Sequence, residues 1–259
     1  MSFAGQLYRA VFQPTVPQCP PRPWRTFLRL PVVFDLVSLA LQLRDIGRLS
    51  RLKQDYVVED SHHRDVHDYN AGVAQAKKIT TTRRSEEIYE ILATPPRDLR
   101  EEKLLIVGPR NVVELYLAWL HGYRWRNIQA IDLYSMNPKI RPMNMEAMEF
   151  ADASFDALTM SATLAYAEDF ARAIGEVARV LKPGGRFVFG HPYDPGSPEW
   201  PGNLVRGSEI RKMLNDAGME IYFHTALDKT NSAGNVQTTH RFGAVKIDGL
   251  PDLLDRVEA

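Results

Sequence analysis

From Lys103 onward the apolar positions fall into short runs separated by helical repeats. "KLLIVG" is a continuous apolar run of strand length, and "VVELYLAWLHG" behind it repeats its apolar residues at helical spacing and closes on Gly122. "NIQAIDLY" and "FDALTM" read as further strands, and "AEDFARAIGEVARVL" reads as a helix stopped by "KPGG". "RFVFGH" is then a strand and "GSEIRKMLNDAG" a helix with its own terminal glycine. "MEIYFHTALD" and "HRFGAVKI" follow as two strands with no helix between them. Strands alternating with helices require a mostly parallel sheet covered on both faces, and the last two strands predict an antiparallel hairpin at its edge.

The first hundred residues follow another pattern. Residues 14 to 23, "PTVPQCPPRP", hold five prolines in ten positions, which excludes regular helix and central strand. After Pro31, the spacing of Val33, Leu36, Val37, Ala40 and Leu43 predicts a helix with one apolar side. That side has three candidate partners: the body of its own domain, a second copy of the chain in a homodimer, or a membrane surface. "VVEDSHHRDVHDYNAGVAQ" is polar and irregular, and "RRSEEIYEIL" restarts helix until "TPPRD" halts it. The expected division is a helical N-terminal extension over 1–99 and an α/β domain over 100–259.

Composition narrows the function. Lys+Arg and Asp+Glu are both 32, so no net positive field gathers a phosphate backbone, and nucleic acid is not expected as a partner. Cys19 is the single cysteine, the first residues lack a signal-peptide pattern, and no apolar run reaches the roughly 20 residues of a membrane span. The expectation is a cytoplasmic protein without a transmembrane segment.

In an open parallel sheet, ligands bind beyond the carboxyl ends of the strands. The residues standing there are Gly108 after the first strand, Asp132 after the second, Asn144 and Met145 after the presumed next strand, and Ser161 in "MSATLAYAED". A glycine at the turn lets a ligand approach the backbone, and the helix behind it offers amide groups to an anion. Asp132 stands 24 positions after Gly108, near the spacing of about 20 expected for a carboxylate that grips ribose hydroxyls. An asparagine amide suits a purine edge and a methionine its face. A nicotinamide enzyme is disfavoured, because "GPRNVV" lacks the glycines that cradle a pyrophosphate.

Together "LLIVG", "AIDLYS", "NMEAMEFADASFDAL", "LAYAEDFARAIGEVARVLKPGGRFVFG", "MEIYFHTAL" and "HRFGAVKI" resemble the class I S-adenosylmethionine-dependent methyltransferases, in particular the small-molecule branch, over about residues 100 to 247. The resemblance implies a Rossmann-like, mostly parallel seven-stranded sheet with a C-terminal antiparallel hairpin. It also implies S-adenosylmethionine as cofactor, held by Gly108, Pro109, Arg110, Asp132, Leu133, Asn144, Met145 and Ser161. The family's first loop carries three alternating glycines, and here those positions are Gly108, Arg110 and Val112. Ile106 stands at a commonly acidic site, and Asn144 replaces a common aspartate. Arg110 is either a fork for the cofactor's carboxylate or a solvated side chain.

The reaction that the resemblance implies is in-line attack by an oxygen, nitrogen or carbon nucleophile of a small biosynthetic intermediate on the sulfonium methyl. If a base assists, His191 and Tyr166 are the candidates; their alternatives are a strand-end histidine bonded to backbone and an aromatic wall. Segments ahead of the first strand often fold over the cofactor in this family, so His67, Tyr69 and, after the fifth strand, Tyr193 are the expected substrate contacts. His62, His63, Asp65 and His67 invite a metal reading, but no second ligand cluster stands downstream, and no metal is expected. A second function stays open on the altered glycines: a methyltransferase-like protein that binds or regulates without catalysing.

Overall fold

A computed structural model of the chain describes residues 23–49, 54–55, 85–93, 98–109, 111–135, 137–193, 205–230 and 236–247. In chain order the elements are α1 (Pro23–Leu28), α2 (Pro31–Leu49), β1 (Gln54–Asp55), α3 (Glu86–Leu92), β2 (Leu104–Val107) and α4 (Val112–Leu120). They continue with β3 (Ile128–Asp132), β4 (Tyr134–Ser135), β5 (Ile140–Pro142), β6 (Phe155–Ser161), α5 (Phe170–Val180), β7 (Leu181–Tyr193), α6 (Gly207–Asp216), β8 (Met219–Thr230) and β9 (Val236–Lys246).

Seven strands form one sheet in the order β5-β3-β2-β6-β7-β9-β8. The pairs from β5 to β7 are parallel, and β9 is antiparallel to both β7 and β8. This is the α/β sheet with a terminal hairpin that the alternation of elements requires. Side chains alternate across it. Leu105 and Val107 of β2 enter the core under α5 and α6 with Ile174, Val177 and Leu214, while Leu104 and Ile106 enter the core under α3 and α4 with Leu92, Val113 and Leu117. Ile106 is therefore a packing residue.

Local chemistry sets the helix ends. Asp169 caps α5 by accepting the Arg172 amide at 2.9 Å, and the helix buries Phe170, Ala173, Ile174 and Val177 at three- and four-residue spacing. The chain then turns through "KPGG". Gly184 has φ of 74°, and a Cβ on Gly185 would lie 2.7 Å from the Lys182 carbonyl. The crossover from β5 to β6 contains no helix. Arg179 of α5 holds it in place, donating to the carbonyls of Met148 and Phe150, each at 2.7 Å. The carboxylate of Glu146 takes the amides of Glu168 and Asp169.

The N-terminal helices pack on the α4 side, and α2 corrects one expectation. Its buried side is Phe34, Ser38, Gln42 and Asp45, whereas Leu36, Ala40 and Leu43 of the predicted apolar side are exposed. The reason is the partner. Phe34 stacks on Tyr116 at 5.7 Å, and both Asp45 carboxylate oxygens accept from Asn137 Nδ2 at 2.9 Å, so the far half of the helix meets a polar loop. Among the described residues no helix is long and apolar enough to cross a membrane.

Candidate active site

One register line crosses the carboxyl edge of the sheet. Val107 pairs with Ile131 and with Met160, so the next residues, Asp132, Gly108 and Ser161, stand side by side. Ser161 pairs in turn with Gly190, and Gly190 with Arg241. Strand pairing, parallel from β3 to β7 and antiparallel to β9, brings these five residues, distant in sequence, into a row about four strand spacings long.

Gly108 opens the turn with φ of 67°, and its amide donates to the Ile131 carbonyl at 2.8 Å. The close approach expected there is made by the protein itself. A Cβ at this position would lie 2.1 Å from Thr163 Oγ1, and the Thr163 hydroxyl donates to the Gly108 carbonyl at 3.2 Å. Glycine is thus required by internal packing as well as by backbone sign. Asn111, just before α4, accepts the Val113 amide at 2.9 Å and so caps the helix whose N-terminus faces this turn. Pro109 is buried, while Arg110 lies outside the described residues.

Asp132 and Leu133 are half-buried at the end of β3, where the Asp132 carbonyl accepts the Met143 amide at 3.0 Å. Asn144 accepts the Glu146 amide at 2.8 Å, which fixes its orientation as a side-chain turn. Met145 packs into the core with Met143 and Met148. Ser161 is buried, and its oxygen accepts from the Ser85 hydroxyl at 3.0 Å. The donor set fits the adenosine half of the cofactor: a partly exposed carboxylate for the ribose diol and an oriented amide beyond it, on neighbouring strand ends.

Tyr166 closes the short 3-10 turn Leu164–Tyr166 after β6 and is half-buried. His191 takes the place of a strand-end histidine bonded to backbone. It is 0% exposed, its Nε2 donates to the Val205 carbonyl at 2.9 Å, and its ring meets Phe170 edge-on at 5.4 Å. Nδ1 has no hydrogen-bond partner. Burial pushes its pKa down to about 4. Tyr193 is half-buried at the end of β7. His67 and Tyr69, with the rest of "HHRDVHDY", lie outside the described residues, and no group of three or more metal-ligating side chains occurs among the described ones.

Sequence reasoning missed three ties between the N-terminal extension and this edge. Gln54 and Asp55 pair with Ser135 and Tyr134, directly after Asp132 and Leu133. Ser85 meets Ser161 at the other end, and Glu87 stands beside Arg241. A two-residue strand and a serine pair leave no periodic signal by which they could have been found.

The profile of a methyltransferase domain matches residues 124–189, which run from the turn before β3 into β7. An O-methyltransferase, rstn1, of Aspergillus nomiae is 28% identical over 181 residues, covering 60% of this chain and 78% of the relative. Among solved structures, phosphoethanolamine N-methyltransferase 2 of Haemonchus contortus, in complex with phosphomonomethylethanolamine and S-adenosylhomocysteine, superposes with a TM-score of 0.52 at 13% identity, over 73% of this chain and 60% of that one. The YcgJ protein of Bacillus subtilis gives 0.50 at 16% identity, over 63% and 99%. Over residues 124–189 the chain matches a methyltransferase domain, and its seven-stranded sheet has the fold of the Haemonchus methyltransferase.

Proposed function

We propose that this protein methylates an oxygen of a small biosynthetic intermediate. The observation that carries the reading is the row Asp132, Gly108 and Ser161, which sets a half-buried carboxylate beside a left-handed glycine turn at the sheet edge. Oxygen is favoured over nitrogen or carbon by the likeness to the Aspergillus O-methyltransferase.

Asp132 grips the ribose hydroxyls, Asn144 meets the adenine edge, Leu133 and Met145 line the ring, and Arg110 pairs with the amino-acid carboxylate. Bound there, the cofactor supplies a methyl on a sulfonium whose leaving group is a neutral thioether. The protein's task is alignment and exclusion of water, to which large effective concentrations are due. Tyr166 walls the acceptor side. The role of base is not given to His191, whose ring is fully buried and whose pKa burial pushes down to about 4. The acceptor contacts assigned from the resemblance are His67 and Tyr69. The setting is cytoplasmic, and a homodimer contact is assigned to the exposed Val32, Leu36 and Leu43 of α2.

Calorimetric titration with S-adenosylhomocysteine, followed by its release from S-adenosylmethionine in the presence of phenolic and alcoholic acceptors, tests the reading. Saturable binding with acceptor-dependent release is expected. Absence of binding at millimolar cofactor overturns it in favour of a binding or regulatory protein.

A further inference from the structure

The strand-end row continues past Ser161 to Gly190 and Arg241, and the methyl-transfer reading gives that end no task. Gly190 makes room for the guanidinium: a Cβ there would lie 3.1 Å from Arg241 Nη1. The Arg241 side chain is 15% exposed; Nη1 donates to the His240 carbonyl at 3.3 Å and Nε stands 3.4 Å from Glu87 Oε2. Glu87, from α3, is 58% exposed. The pair is therefore lopsided, with a largely buried cation against a carboxylate that is mostly in water, and such a pair is easily exchanged. A guanidinium fork matches a carboxylate in geometry and charge, and shielding from solvent strengthens that match.

Distance places Arg241 on the acceptor's side. Four strand spacings of about 4.8 Å put it roughly 19 Å from Asp132 along the row, with Ser161 between them. A cofactor whose ribose is held at Asp132 leaves the far end of the edge to the other reactant. We infer that Arg241 binds a carboxylate of the acceptor, making the substrate class a small hydroxy acid, and that Glu87 occupies this position until the acceptor displaces it. The inference rests on the methyl-transfer reading of the same edge.

The alternative is an ion pair that only fastens α3 to β9, and the two differ in sign at Glu87. The full chain, saturated with S-adenosylhomocysteine, is titrated with benzoate and with benzamide while the Nε–Hε resonance of Arg241 is followed, assigned by its loss in Arg241→Lys. Benzoate should shift that resonance saturably, and benzamide should not. Glu87→Gln should tighten benzoate by about three-fold or more and Arg241→Lys weaken it by about ten-fold, each leaving S-adenosylhomocysteine affinity within about two-fold. A resonance unmoved by benzoate in cofactor-saturated protein, or benzoate affinity unimproved by Glu87→Gln, overturns the inference; the Glu87 arm decides even if Arg241→Lys does not fold. Failure of the wild-type chain to bind S-adenosylhomocysteine overturns instead the reading beneath it.

Discussion

Gly108→Ala separates what the glycine does for the fold from what it does for a ligand. The added Cβ would lie 2.1 Å from Thr163 Oγ1, 2.3 Å from its Cγ2 and 2.7 Å from its Cβ, on a residue held at φ of 67°. Left-handed backbone costs a residue with a side chain roughly 1 to 2 kcal/mol. Forcing extra carbon into a packed site costs about 1 to 3 kcal/mol. Loss of the Thr163 hydrogen bond to the Gly108 carbonyl adds roughly 0.5 to 1.5 kcal/mol. The sum is roughly 2.5 to 6.5 kcal/mol, which at about 2 to 4 °C per kcal/mol lowers the melting temperature by roughly 5 to 26 °C. Thr163→Gly removes all three obstructing atoms. In that background Gly108→Ala should cost only the backbone part, so urea unfolding followed by tryptophan fluorescence should give a coupling of about 2 kcal/mol or more. Equal costs in the two backgrounds would refute the packing argument. Titration of the double variant with S-adenosylhomocysteine then reads any demand that the cofactor makes on this position.

Asp132→Asn keeps the shape of the strand end and removes the charge; S-adenosylhomocysteine affinity should fall ten-fold or more, about 1.4 kcal/mol by calorimetry, and an unchanged affinity removes Asp132 from the site. His191 has a folded pKa of about 4 against its ordinary 6.5, so the unfolded chain takes up the proton first as pH falls. The stability due to the neutral ring is complete above 6.5 and drains as pH drops toward 4, with His121, pushed by burial to about 3, adding a second proton. Denaturation measured across this window should show a shallower pH slope in His191→Gln, and parallel curves for variant and wild type would contradict the assignment. Arg186, 1% exposed, donates to the Leu92 carbonyl and to Glu102, which also accepts from the Tyr123 hydroxyl. Arg186→Met leaves those acceptors buried and should cost roughly 3 to 5 kcal/mol in urea unfolding; a loss under about 1 kcal/mol would show that the cluster is not a stabilising unit.

The sequence by itself determined the α/β sheet, the terminal hairpin and, to within a residue or two, the carboxyl ends of β2, β3 and β6. Those features follow from short-range periodicity and turn chemistry, which a chain expresses locally. "KLLIVG" could only be a strand buried on both faces, and "KPGG" could only stop a helix and start a strand. Only the tertiary structure decided which side of each residue is used. Leu36, Ala40 and Leu43 belong to the predicted apolar side, yet they face solvent, while Val37 of that side packs on the core, Phe34 stacks on Tyr116 and Asp45 meets Asn137. Gly108 reads as an opening for a ligand, yet Thr163, 55 positions away, fills the space. His191 reads as a base, yet its ring is buried and bonded to the Val205 carbonyl of the chain entering α6. Arg241 lay in the strand "HRFGAVKI" with no site role, and register alone set it on the same line as Asp132. Periodicity encodes which residues are apolar and how often they recur. Which groups meet depends on pairings across strands that no local pattern records.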